Sequence, residues 1–470
     1  MQKNNVSIMD AVIAKTLELT EIEMTDDVEY QSIYQWDSLK HVSLMLAIEA
    51  VFNIKIDDNL IVELNTIGAL RKFASEIDKK NDDMNVSEQS KCENSKIQSE
   101  IHRGLNNVYV DRSSITNIDG QRGALEYRGY SIHDLAENST FEETAYLLIY
   151  GELPSCKALK QFCNELYSMR QVPNQVMKLM ESLADAHPME ALRTGISMLG
   201  AFEKNRVNST RDQVIRKGIK LTSQIPILIA AHHAARMGKS LVPMKFDSSH
   251  AEFMLHLLLG EKPSDLAVKL IDRDLIIHAD HSANASAFTA RIATGCQSNM
   301  HAAITAAVAA FSGGLHGGAA ECVMQLIDDV GAPENAVAYV QERWKRNEPV
   351  MGFGHRVYRT EDPRARHLRA AALNLSSVNN DMNDYEVVQA VVDAMTPYAR
   401  HGIDANVDLY AGLVYRQLGL PDDLAVPVFV AGRTAGWVAQ ILEQYDNNIL
   451  IRPLLKYVGP SKCEYKKENI

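Results

Sequence analysis

Apolar residues recur at three- and four-residue spacing in "SIMDAVIAKTLEL" (7–19), "SLKHVSLMLAIEAVF" (38–52) and "TIGALRKFASEI" (66–77), the period of helices with one buried face. Three such segments predict a small helical bundle over residues 1–80. From 81 to 100 the chain reads "NDDMNVSEQSKCENSKIQSE", without an aromatic residue or a helical or strand period, which predicts a flexible polar linker. The short alternating runs and Asp-Gly turn of "NVYVDRSSITNIDGQRGALEYRGYSI" predict small strands at the start of a second unit, residues 101–470. Beyond them helical periodicity dominates, as in "EALRTGISMLGAFE", "DQVIRKGIKLTSQIPILIAAHHAARM" and "DDLAVPVFVAGRTAGWVAQILEQ". "AAITAAVAAF" is apolar almost all round and belongs in the middle of a large helical body. The fold class read from this pattern is all-α.

Composition narrows the picture. With 470 residues, 46% hydrophobic and 23% charged, the chain can bury a sizeable core as a soluble globular protein. The net charge of −12 opposes nucleic-acid binding, which needs clustered Lys and Arg. Residues 1–80 hold fourteen Asp/Glu against eight Lys/Arg, so half of the excess charge sits in a separate acidic module. No run approaches the roughly 18 apolar residues of a membrane span, and "MQKNNVSIMD" lacks signal-peptide character, so the expected location is cytoplasmic, with no membrane partner. Six scattered cysteines without CxxC spacing imply reduced thiols. His278 and His281 in "HADH" are three apart, yet no HExxH or ligand carboxylate accompanies them, so no metal is expected. His232 and His233 are adjacent on a predicted helix, cannot share a face, and read as structural.

Two groups of residues carry chemistry. In "QWDSLK", Asp37-Ser38 opens a helix and would serve as an N-cap on local grounds. Asp-Ser-Leu ahead of an apolar helix within an acidic bundle resembles an acyl carrier protein, over about Ser7 to Ile77. That resemblance implies a 4′-phosphopantetheine arm on Ser38, added by a phosphopantetheinyl transferase, and an acidic face that docks on basic partners. Leu39, Val42, Leu46 and Ile48 are expected to turn into the bundle. In the second unit, "GGLHGGA" holds His316, "GFGHRVY" holds His355 and "NVDLYAG" holds Asp408. Flanking glycines let backbone approach a ligand closely, and two histidines with a carboxylate can divide proton removal from carbonyl polarisation.

Together with "DGQRGALEYRGYSIHDLAENSTFEETAYLLIYGELP", "MGFGHRVYRTEDPRARHLR", "AGRTAGW" and "NILIRPLLKYVGP", these motifs resemble citrate synthase in order, over about residues 100–470. The resemblance implies a large domain with a small one inserted at roughly 319–412, and an intimate homodimer. It implies Asp408 as the base on an acetyl thioester, His316 on the enolate oxygen and His355 on the ketone of oxaloacetate. Arg364, Arg433 and Arg452, with His281, would hold the diacid, Arg452 reaching the neighbouring subunit, and guanidinium forks suit carboxylates. Arg359 with the Gly352 and Gly354 backbone would receive coenzyme A. Such an arginine cluster, left empty, is expected to repel itself and favour an open form. The implied reaction joins an acyl thioester, on the fused carrier or on coenzyme A, to oxaloacetate or a similar 2-oxo acid, giving citrate or a citrate-like product. Ser282 stands where the family has Glu, Ala320 where it has Asn, and Gly314 where proline is common. Those departures motivate an alternative: a degenerate synthase that serves as a dimeric scaffold presenting the carrier to other enzymes. A propionyl or longer donor, as in methylcitrate synthases, is a third.

Overall fold

The computed structural model describes residues 5–79 apart from 21, 31, 32, 34, 37, 53 and 57, then 101–203 apart from 106 and 107, 210–242, 247–399 and 402–461. The linker read at 81–100 and the residue Asp37 lie outside the described residues. Ahead of that gap stand α1 (Asn5–Leu17), α2 (Ser38–Phe52), α3 (Asp58–Glu63) and α4 (Ile67–Lys79). α1 packs on α2 and α4 around Met9, Ile13, Leu17, Trp36, Leu44, Met45, Ile48 and Leu70. The buried positions of α2 are His41, Val42, Leu44, Met45 and Ile48. Val42 and Ile48 are buried, as the sequence reading expects; Leu46 is only half-buried, which corrects that inward position, and the side chain of Leu39 lies outside the described ones. His41 accepts from Trp36 Nε1 at Nδ1 (3.1 Å) and turns Nε2 to Ile61 O (3.3 Å), which ties the start of α2 to α3.

After the gap, β1 (Thr116–Asp119), β2 (Ala124–Tyr127) and β3 (Tyr130–Ser131) form an antiparallel sheet in the order β1-β2-β3, with Ile118 opposite Leu125. The helices follow as α5 (Ile132–Asn138), α6 (Phe141–Tyr150), α7 (Cys156–Ser168), α8 (Asn174–Ser182), α9 (Pro188–Phe202) and α10 (Arg211–Arg236). Next come α11 (His250–Leu259), α12 (Asp265–His278), α13 (Ala285–Gly295) and α14 (Met300–Phe311). A second layer holds α15 (Ala319–Val330), α16 (Ala336–Lys345), α17 (Ala365–Asn379), α18 (Asn383–Ala399) and α19 (Val407–Gln417), before α20 (Ala425–Asp446) returns to the first. Hydroxyl and amide caps start many of these helices: Ser264 accepts from Ala267 N (3.2 Å), Asn284 from Ala287 N (3.1 Å) and Asn299 from Ala302 N (3.0 Å). Gly151 and Gly260, both left-handed, end α6 and α11.

α20 organises the body. It packs against α6, α10, α12, α13 and α14, and within the stretch Asp422–Asp446, long and apolar enough to cross a membrane, the 18-residue apolar window is wholly buried, the mark of a core helix. α17 and α15 pack on α19, and α16 on α18, so the second layer holds largely to itself. Between the layers, His133 of α5 and His367 of α17 meet at 2.8 Å from Nδ1 to Nε2. His232 is buried in α10 with Nε2 on Leu183 O (2.9 Å), a structural contact.

α20 crosses the end of α12 where its side chain is least: a Cβ on Gly436 would lie 2.0 Å from Ala279 O. Gly436→Val is expected to cost about 3 kcal/mol or more, because the clash is with backbone and cannot be relieved by a rotamer. Thermal or urea unfolding of the purified variant checks this; an unchanged midpoint would contradict the close crossing.

Candidate active site

The crossing of α12 and α20 builds one wall. As α12 ends, His278 O accepts from Arg433 Nε of α20 (2.5 Å), and the Arg433 guanidinium lies over the Phe429 ring at 4.8 Å. Asp280, buried in the next turn, accepts from Thr116 Oγ1 (2.5 Å), Ser282 N (2.9 Å) and Gln440 Nε2 (3.1 Å). Tyr127 Oη of β2 accepts from Asp280 N (3.1 Å) and donates to Asp280 O (2.8 Å), fixing the turn that presents His281. His281 is buried with Nε2 at 3.2 Å from Tyr358 Oη.

His316 enters from the loop between α14 and α15. Its Nε2 accepts from Ser286 N (3.2 Å) and meets Ser286 Oγ at 2.9 Å. Ser286 is itself held, with Oγ accepting from Trp437 Nε1 (3.1 Å) and donating to Asn284 Oδ1 (2.7 Å). A backbone N–H can only donate, so Nε2 is an acceptor and the neutral ring carries its proton on Nδ1.

The facing wall is a loop stitched to the strand-like entry of α19. Gly354 N donates to Asp404 O (2.8 Å), Asn406 N to Gly352 O (2.9 Å), Asn406 Nδ2 to Gly354 O (3.0 Å) and Asp362 N to Ala405 O (3.2 Å). Gly352 sits at φ 83, and a Cβ there would come within 2.7 Å of Leu409. Asn406 caps α19 by accepting from Asp408 N (3.0 Å), which puts Asp408 in the first turn, where helix N–H groups favour a carboxylate. His355 Nδ1 accepts from Val357 N and Tyr358 N, each at 3.0 Å. Its proton is therefore on Nε2, the reverse of His316. The rings of His281 and His355 stand 5.2 Å apart, edge to face.

Burial dominates the electrostatics. It lowers His316 to about 4, with Arg433 adding to the effect, and lowers His355 to about 4 although Asp362 opposes. Burial, then Arg364, His355, Arg433 and His316, hold His281 well below the usual imidazole range. All three rings are neutral near pH 7. Burial also lifts Asp408 to about 6, against the pull of Arg364 and Arg433. Arg433 falls to about 10 through burial and the neighbouring Arg364.

Arg364 departs from expectation. It is buried and already clamped by Asp362, Nε to Oδ1 at 2.9 Å and Nη2 to Oδ2 at 2.6 Å, with its own N–H on Oδ1 at 3.0 Å. Burial works to lower this guanidinium, yet Asp362 raises it on balance. Thus the arginine pair does not stand as bare charge: Asp362 offsets part of the repulsion that would force the cleft open. Arg359 is exposed on the rim, its N–H on Gly120 O (3.0 Å). Arg452 is not brought to this cleft; it is exposed on the segment that leaves α20. Ser38 begins α2, whose first turn contains no acidic residue. Ser282 takes a left-handed conformation (φ 51) in the Asp280 turn, and Ala320 is buried in α15. Neither change strips the histidines of support, since Tyr358 holds His281 and Ser286 holds His316. Sequence reasoning missed Ser286, Trp437, Tyr358 and Asp362; only the Asn284 cap motif in "SANAS" hinted at the first. Among the described residues, no group of three or more His, Cys, Asp or Glu is placed to hold a metal.

A cleft between two helical layers, with buried neutral imidazoles, a raised carboxylate and paired arginines, is that of an enzyme acting on an anionic carbonyl compound. Residues 104–454 match the family "Citrate synthase, C-terminal domain" and residues 9–74 the family "Phosphopantetheine attachment site". The chain belongs to the citrate synthase family, with a phosphopantetheine-attachment domain ahead of the synthase unit. It is 40% identical to citrate synthase 2 of Bacillus subtilis over 365 residues, 77% of this chain and 97% of that protein. It is 36% identical to 2-methylcitrate synthase 1 of Corynebacterium glutamicum, over 78% of this chain and 97% of that one. Among solved structures, citrate synthase from Pyrobaculum aerophilum superposes with TM-score 0.74 at 32% identity, covering 82% of this chain and 99% of that one. The ternary complex of carboxymethyl coenzyme A and oxaloacetate with citrate synthase from Thermoplasma acidophilum gives TM-score 0.73 at 29% identity, over 78% and 98% of the two chains.

The raised Asp408 leaves a signature in stability. Between about pH 4 and pH 6 the folded state keeps a proton that the unfolded chain has released, so stability falls as pH rises through that window. Asp408→Asn stays neutral, and is expected to melt above wild type at pH 7 and to lose that advantage by about pH 4. Melting curves across this range check it; a difference that does not change with pH would contradict the raised carboxylate.

Proposed function

We propose that the cleft condenses an acyl thioester, acetyl or a close homologue, with oxaloacetate or a similar 2-oxo diacid. The observation that carries this reading is the opposed tautomers of two neutral histidines beside a raised carboxylate. Asp408 takes a proton from the carbon next to the thioester carbonyl, and its pKa of about 6 brings it closer to a weak carbon acid than an ordinary aspartate. His316 offers Nδ1–H to the carbonyl oxygen where negative charge develops, without becoming charged itself. The carbon nucleophile then bonds to the keto carbon, and His355 offers Nε2–H to the keto oxygen as it becomes an alkoxide and then a hydroxyl. Water hydrolyses the remaining thioester, releasing the thiol and the citrate-like acid. Arg433, Arg364 and His281 grip the diacid, and Arg452 is assigned to the partner subunit's site in a homodimer. Ser38 is the assigned attachment point of 4′-phosphopantetheine, whose thiol would hold an acyl group as a thioester; the N–H groups opening α2 suit its phosphodiester. The similarity to citrate synthase 2 of Bacillus subtilis and to a 2-methylcitrate synthase of Corynebacterium glutamicum supports the same product class. A degenerate scaffold is disfavoured by the intact support of His281 and His316.

Purified protein given oxaloacetate with acetyl- or propionyl-coenzyme A, or with the same acyl groups on a Ser38 arm, is expected to form citrate or methylcitrate detectable by mass. Asp408→Asn should slow this by about 10²–10⁴-fold. No product and no deuterium exchange at the donor carbon, with every donor, would remove the reading.

Mixing Asp408→Asn and Arg452→Leu protomers tests the assignment of Arg452. Half of the dimers formed would be mixed, each with one complete site, so about a quarter of wild-type activity should return. Failure to recover would place Arg452 outside the partner's site.

A further inference from the structure

The segment that links the two units ends at the mouth of the cleft. The first described turn of the synthase unit, Arg103–Leu105, is pinned by Arg356 Nη2 donating to Gly104 O (3.1 Å), and Arg356 directly follows His355. Twenty-one residues, 80–100, join Lys79 of α4 to Ile101, a span that covalent geometry limits to about 70 Å. Around the pinned turn, Ile101 (58% exposed), Leu105 (42%) and Val357 (43%) put apolar surface beside the exposed guanidinium side chains of Arg356 and Arg359.

α2 of the bundle has a matching outer face. Its two full charges both turn back on the bundle, Lys40 to Glu18 (2.8 Å) and Thr16 O (3.2 Å), and Glu49 to Ile56 N (3.0 Å). With His41, Val42, Leu44, Met45 and Ile48 buried, the outward stretch of α2 is the half-buried Leu46 with the exposed Ala50 and Val51 (53%), a stripe that carries no charge. A helix apolar on nearly every side is stable in water only when its outer face finds cover. Exposed acids stand in the loop that leads from α1 to α2, Glu23 and Asp27, with Asp26 paired to Arg71 of α4 (2.6 Å).

We propose that the bundle docks through this stripe of α2 on the collar of Ile101, Leu105 and Val357, its loop acids facing Arg356 and Arg359, and so delivers the acyl donor from Ser38 to the cleft. The occupant of the collar is this chain's own carrier. A tethered carrier meets the site at an effective concentration far above that of a free one, so a modest apolar contact is enough to orient it. This rests on the condensation reading and adds the source of the donor.

The test uses the full-length protein loaded by a phosphopantetheinyl transferase, with Ser38→Ala as the unloaded control. A benzophenone amino acid at position 51 should crosslink on irradiation to peptides containing residues 101–105 or 356–360; crosslinks confined to other surfaces, or none, would overturn the docking. Leu46→Glu with Val51→Glu should slow product formation from the Ser38-borne acetyl or propionyl group by about tenfold and leave turnover of the coenzyme A donor unchanged. Val357→Arg should restore part of the loss in that variant, a rescue that general damage to the bundle would not permit. Should wild type turn over the coenzyme A donor and not the Ser38-borne one, the docking inference fails and the condensation reading stands; should it turn over neither, the condensation reading fails first.

Discussion

The close crossing of α20 over the end of α12 is the constraint on which the site depends. Because Gly436 brings no side chain to the seam, Arg433 Nε can reach His278 O, and Gln440 one turn further can reach Asp280. Trp437, between them in sequence, reaches across to Ser286 and through it sets the tautomer of His316. One helix therefore fixes an anion-binding arginine, the turn that presents His281 and the proton position of a second histidine. A shift of α20 would disturb all three together, since they share its backbone.

The facing layer answers with a different device. Residues 352–362 and 402–406 are laced by backbone hydrogen bonds, so His355 and Asp408, far apart in sequence, belong to one rigid piece. Asp362, in the same piece, holds Arg364 before any diacid arrives. The clamp keeps a buried guanidinium compensated, and an entering carboxylate adds to the pair instead of having to rescue a bare charge. Repulsion between Arg433 and Arg364 remains and points across the cleft, so a dianion bound between them would draw the two layers together.

The all-helical class, the two units and the residues that line the cleft were legible because each has a local signature: helical period, a polar stretch, glycine-flanked histidines. The supporting contacts were not. Ser286 and Trp437 are 151 positions apart, and nothing in either neighbourhood announces that one will hold the other. Asp362 is two residues from Arg364, yet its place in "EDPR" reads as a turn residue until the fold buries both. Residues such as Leu46 of α2 show the limit of periodicity itself. In a helix apolar nearly all round, spacing cannot say which stripe faces in, and the decision falls to Trp36 and the helices that pack on α2.

That same ambiguity links the two units. A helix whose sequence gives no clear inside is a poor design for an isolated bundle and a good one for a part that spends its time against another surface. Charge on the outer stripe of α2 would make the free bundle more soluble and would oppose burial against the synthase unit, since a charge taken from water without a partner is costly. Acids in the loop that leads into α2 reconcile the two demands in the proposed docking: the loop would meet Arg356 and Arg359 at the rim while uncharged side chains cover the centre, the usual division between the core and edge of an interface. In the proposed docking, the uncharged stripe of α2 and the anchoring of Gly104 by Arg356 serve one requirement, that a thioester arrive at the cleft already facing its base.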